Sequence, residues 1–88
     1  MPLRVLDSAR KRGHGVEDIS HAIDMALVER VIDPDTDPPK LLFIGPDQAG
    51  NLLEPIGAEI ADGVLLIWRA DACRRKYLIL LPDSGGET

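Results

Sequence analysis

Apolar residues along this 88-residue chain follow two periodicities. Up to about residue 27 they recur at helical spacing, and beyond it they come as short runs broken by proline and glycine. In "LRVLDSARKR" (3–12), Leu3, Leu6 and Ala9 share one side, bases lie on the other, and Gly13 stands where a left-handed cap belongs, which predicts a first helix. Ile19, Ile23, Ala26 and Leu27 form a second stripe and predict a helix from about Val16, with Glu17 and Asp18 at the positive end of its dipole.

"VERVID" (28–33) lacks a clean alternation and runs into a proline-rich loop, so it reads as a short edge strand. "KLLFIG" (40–45), bounded by Pro39 and Pro46, reads as a buried strand, and "PDQAGN" (46–51) as a turn. Asp62-Gly63 suits a two-residue hairpin turn, because both central residues need positive φ. That turn predicts Ile60 opposite Leu65, Glu59 opposite Leu66, Ala58 opposite Ile67, Gly57 opposite Trp68 and Ile56 opposite Arg69. Ile56, Ala58, Ile60, Leu65 and Ile67 then face the core with Arg69 at the rim. The other face carries Val64, Leu66 and Trp68, too apolar for open solvent, and predicts a cover: the C-terminal segment, a partner chain or a second copy. Residues 72–81 read as a last helix with Cys73, Tyr77, Leu80 and Leu81 inward.

The expected architecture is therefore α+β: two N-terminal helices packed on an antiparallel three- or four-stranded meander sheet, with a short C-terminal helix. It forms a single domain over residues 1–82, followed by a flexible tail, 83–88. The lone Cys73 and the lack of an opening signal stretch favour a cytoplasmic protein, and no apolar run approaches the roughly 20 residues a membrane helix needs. His14, His21 and Cys73 have no metal-ligand spacing, so neither metal nor cofactor is expected. His14 reads as a loop residue, and His21 as a surface residue paired locally with Glu17 and Asp24.

Net charge is −5, yet the bases are bunched. Arg10, Lys11 and Arg12 form one group, and Arg69, Arg74, Arg75 and Lys76 another, beside Tyr77. Such groups can hold RNA phosphates and stabilise the charge that develops when a ribose 2′-hydroxyl attacks the adjacent phosphate, while a base stacks on Trp68 or Tyr77. The same residues equally describe a solvated helix end whose dipole favours cations.

Three segments, "KRGHGVEDISHA" (11–22), "LLFIGPDQAGNLLEPIGAEI" (41–60) and "VLLIWRADACRRKYLILLP" (64–82), together resemble the small bacterial BrnT-like toxins and their uncharacterised relatives. The resemblance implies a RelE-like α+β fold and a metal-independent ribonuclease, the toxin of a toxin–antitoxin pair. Its implied partners are a small antitoxin protein and RNA, with no membrane. Lys11 and Gly13 match the family's lysine and glycine, Glu17 and Asp18 the acidic helix start, and Arg75 and Tyr77 the terminal motif. Arg12 and Arg69 stand where relatives carry histidine; arginine keeps phosphate binding but not proton exchange. Lys11, Arg12, Arg69, Arg75 and Tyr77 are thus the expected catalytic residues, and Arg10, Arg74 and Lys76 the expected RNA contacts. The alternative is a non-catalytic interaction module, or degenerate toxin relative, that binds a partner or forms a homodimer through Val64, Leu66 and Trp68.

Overall fold

A three-residue strand, not a helix, opens the chain. The computed structural model describes residues 2–60 and 63–81. Strand β1 (Leu3–Val5) half-buries Leu3 and Val5 and exposes Arg4. A single 3-10 turn follows over Asp7–Arg10, tied across by Arg10 to Asp7 at 2.6 Å, with Ala9 wholly buried. The first of the two expected N-terminal helices is therefore absent. Ten residues barely repay the cost of nucleating a helix, whereas β1 gains ladder bonds to a strand already formed. Helix α1 (Val16–Asp24) is the one long helix among the described residues; the Met25 and Ala26 amides close it on the His21 and Ile23 carbonyls, a turn short of the apolar stripe, so Leu27 stays exposed.

Strands β2 (Val28–Asp33), β3 (Lys40–Pro46), β4 (Leu52–Glu59) and β5 (Leu65–Ala72) run as an antiparallel meander. β1 adds to β5 in parallel, Leu3 opposite Leu65 and Val5 opposite Ile67. The sheet is thus five-stranded and mixed, ordered β1-β5-β4-β3-β2, where a purely antiparallel sheet of three or four strands was expected.

The hairpin register also differs. Glu59 pairs with Leu65, Ala58 with Leu66 and Gly57 with Ile67, one residue out from the register a two-residue turn imposes. The turn is longer: the Ile60 amide donates to the Val64 carbonyl at 2.8 Å, and Gly63 takes φ 74°. Asp62, the other half of the expected turn, lies outside the described residues. A bulge beside Gly57 then absorbs one residue, and Ile56 pairs with Arg69 after all. Trp68 is the residue without a partner.

Both sheet faces are covered. On one, α1 and the 3-10 turn bury Ile19 and Ala9 against Phe43, Leu65, Ile67 and Ala70. Helix and sheet approach closely at Gly45, where any Cβ would collide with the Ala22 carbonyl. On the other, Trp68, Cys73, Tyr77, Leu80 and Leu81 pack against Val28, Leu42, Ile44 and Ile56. The chain's own C-terminal segment therefore shares this face with Trp68. Its helix, α2, is short, Arg75–Leu78, because residues up to Ala72 continue β5. No helix among the described residues is long and apolar enough to cross a membrane. The expected tail, 83–88, lies outside the described residues.

Candidate nucleic-acid interface

The parallel β1–β5 pairing sets the two basic stretches side by side. Beyond β1, the Leu6 amide donates to the Ile67 carbonyl at 2.9 Å, and the Ser8 hydroxyl donates to the Trp68 carbonyl at 2.8 Å. These bonds lay the 3-10 turn along β5, and the loop after it carries Lys11, Arg12 and His14 past the strand's C-terminal half. Asp71 is the meeting point: Arg12 Nε lies 3.1 Å from its Oδ1 and Arg69 Nε 2.7 Å from its Oδ2. The Asp71 side chain is only 12% exposed, whereas those of Arg12 and Arg69 are 68% and 44% exposed.

Next to it lies a second, deeper ion pair. Register places Glu54 of β4 opposite Asp71, so both carboxylates sit on one face. Glu54 is 0% exposed. It accepts from the Arg74 amide at 2.6 Å and from Arg74 Nε at 2.9 and 3.1 Å, with Arg74 Nη2 at 2.8 Å. This forked contact raises the Arg74 pKa above its ordinary value, first through the hydrogen bonds to Glu54. Burial pushes the neighbouring Cys73 thiol up as well, with the Glu54 charge adding to the effect.

Arg12, His14, Arg69, Asp71, Ala72 and Arg74 line an open cleft of about 540 Å³. A depression sharing Arg12, Arg69 and Asp71 extends it to Ser8, Lys11 and Trp68. Four cations and a histidine thus line the cleft around Asp71, with Glu54 buried behind Arg74. Arg74 is committed to Glu54, so its role is chiefly architectural. Lys11, Arg12 and Arg69 are the bases turned to solvent.

Several expected site residues lie elsewhere. Arg10 is tied to Asp7. Arg75, Lys76 and Tyr77 do not line the cleft, because α2 turns Tyr77 onto the second core, with Lys76 Nζ 4.9 Å and Arg74 Cζ 5.2 Å from its ring centroid. Val64 and Leu66 are half-buried, and Trp68 packs with the C-terminal segment while edging the depression. His14, read from the sequence as a loop residue, lines the cleft; its place two residues after Arg12 is the signal that could have found it. His21 is not paired with Glu17 or Asp24: its Nδ1–H donates to the Pro46 carbonyl at 2.7 Å and pins the β3–β4 turn to α1. Asp18 assists, accepting from the Gln48 amide at 3.0 Å.

No group of three or more potential metal ligands occurs among the described residues. No protein-family model, curated protein or solved structure matches the chain.

Proposed function

We propose that the protein binds RNA in this cleft and cleaves it without a metal, as the toxin of a pair neutralised by a small antitoxin. The observation that carries this reading is the convergence of Arg12 and Arg69 on one carboxylate, beside His14. Arginines spaced to share a carboxylate are also spaced to share a phosphodiester, whose two non-bridging oxygens the guanidinium fork can grip as it grips a carboxylate's pair. His14 supplies the proton exchange that Arg12 and Arg69 cannot. In this scheme His14 takes the proton of a ribose 2′-hydroxyl, whose oxygen attacks the neighbouring phosphorus. Arg12 and Arg69 stabilise the added negative charge, and the 5′-oxygen leaves with a proton from water. The products are a 2′,3′-cyclic phosphate and a 5′-hydroxyl. Trp68 offers a surface for an unstacked base.

A module docking through Val64, Leu66 and Trp68 is less well supported, because the chain's own C-terminal segment already packs on the cluster that Trp68 joins. The test is a fluorophore-labelled RNA incubated with purified protein in excess EDTA. Cleavage with cyclic-phosphate ends is expected, falling about 10²-fold or more in Arg69→Glu and His14→Gln with the fold retained by circular dichroism. Absence of cleavage together with unchanged Trp68 fluorescence, the only tryptophan signal in the chain, overturns the proposal.

A further inference from the structure

At the opposite end of the sheet from the basic cleft lies a groove of different chemistry. It occupies about 300 Å³ between α1 and the sheet, where the half-buried Leu3, Ile23 and Leu41 are accessible over the buried Phe43 and Leu65, below a rim of the exposed Asp24, Glu29 and Glu59. A second depression shares Leu41 and Glu59 and carries it on to Val31 and Ile60. All five strands contribute to its lining: Leu3 from β1, Leu65 from β5, Glu59 from β4, Leu41 and Phe43 from β3, and Glu29 and Val31 from β2. The groove therefore runs across the strands. Four interstrand spacings give it a length of about 19 Å, the span of about 13 residues of α-helix. Val31 is 54% exposed at its mouth.

The rim carboxylates have no ion-pair partners among the described residues, whereas Asp7, Glu54 and Asp71 are each paired with arginine. They do not converge enough to form a metal site. An apolar floor beneath separated, unneutralised carboxylates complements an apolar stripe flanked by ammonium or guanidinium groups. We propose that this groove docks a short, basic amphipathic helix of a partner protein. Nucleic acid is repelled by the rim. A second copy of the chain is a poor occupant, since α1 presents Glu17, Asp18 and Asp24 and α2 has four residues. The inference is independent of RNA cleavage: β5 runs from Leu65 in the groove to Asp71 in the cleft, about 20 Å at strand rise, so the two sites are separate.

The probe is a synthetic 13-residue helix with leucines at i, i+4, i+7 and i+11 and lysines beside them, titrated into the isotope-labelled full chain and followed by amide NMR. Its lysine-to-glutamate counterpart is the control. Saturable shifts confined to the Ile23, Leu41, Phe43 and Glu59 region are expected with the cationic peptide, weakened at least tenfold in the folded double variant Glu29→Lys/Glu59→Lys. The proposal is overturned by groove amides unmoved at 1 mM peptide, by equal binding of the acidic control, or by an unchanged affinity in the double variant. It is also overturned if groove shifts follow protein concentration with light scattering reporting a dimer, which would assign the groove to self-association.

Discussion

Arg74→Met tests the energetics beneath the cleft. The substitution removes the guanidinium but keeps much of its aliphatic bulk, leaving Glu54, 0% exposed, with the Arg74-position amide as its remaining contact from that residue. Breaking a buried ion pair from one side costs about 3–5 kcal/mol, because the abandoned charge stays desolvated. A chain of 88 residues has in total about 4–13 kcal/mol of stability, so the variant loses a large share of it. With a urea dependence of about 1–1.5 kcal/mol per molar for so small a domain, the unfolding midpoint should fall by about 2–5 M. Glu54→Gln/Arg74→Met retains an oxygen for the residue 74 amide while removing the stranded charge, and should recover at least half of the loss. Urea melts of the parent, both singles and the double give the coupling directly. A single Arg74→Met variant within about 1 kcal/mol of the parent would show that Glu54 is solvated and that the pair is not what anchors β4 to the turn into α2.

Asp71→Asn removes the internal anion with which phosphate must compete for Arg12 and Arg69, so RNA affinity by Trp68 fluorescence should rise several-fold at 50 mM salt and less at 200 mM; weaker binding would mean that Asp71 orients the arginines for RNA instead. Gly45→Ala must push α1 off the sheet at Ala22, which should cost about 3 kcal/mol or more in a urea melt, and an unchanged midpoint would contradict the close approach. The Asp47 carboxylate is held below its ordinary pKa, chiefly by the Asn51 amide and also by that of Ala49. Its depressed folded pKa gives stability that is present above the unfolded value of about 3.9 and lost as pH falls through the folded one. Asp47→Asn should therefore be less stable at pH 7 and show a flatter loss of stability below about pH 4; an unaltered acid limb would place the effect elsewhere.

Where a segment's own pattern decides its structure, the sequence is readable. The Ile19/Ile23 stripe, the apolar run between Pro39 and Pro46, and the hairpin strands all appear near their expected places. β1 is different. Three residues carry no periodicity of their own, and their strand character comes from β5, far away in the chain. Helical spacing of Leu3, Leu6 and Ala9 was coincidental, since the chain turns after Leu6. The register slipped for a similar reason: a longer turn and a bulge cancel, so Ile56 and Arg69 pair as expected although the residues nearer the tip do not.

Counter-charges were the least visible part of the site. Yet Asp71 lies two positions from Arg69 on one strand, and Glu54 interrupts an apolar run, both patterns that announce a paired carboxylate.

The parallel β1–β5 pairing also dictates when the cleft can exist. Ser8 and Trp68 are 60 positions apart, and β1 has no other partner strand in the sheet. On a ribosome adding about 5–20 residues per second, the N-terminal segment waits seconds for β5 to emerge, while β2, β3 and β4 can already pair with one another. Lys11, Arg12 and His14 reach Arg69 only after that late docking. A nascent chain, or one truncated before residue 65, therefore carries Lys11, Arg12 and His14 without the cleft.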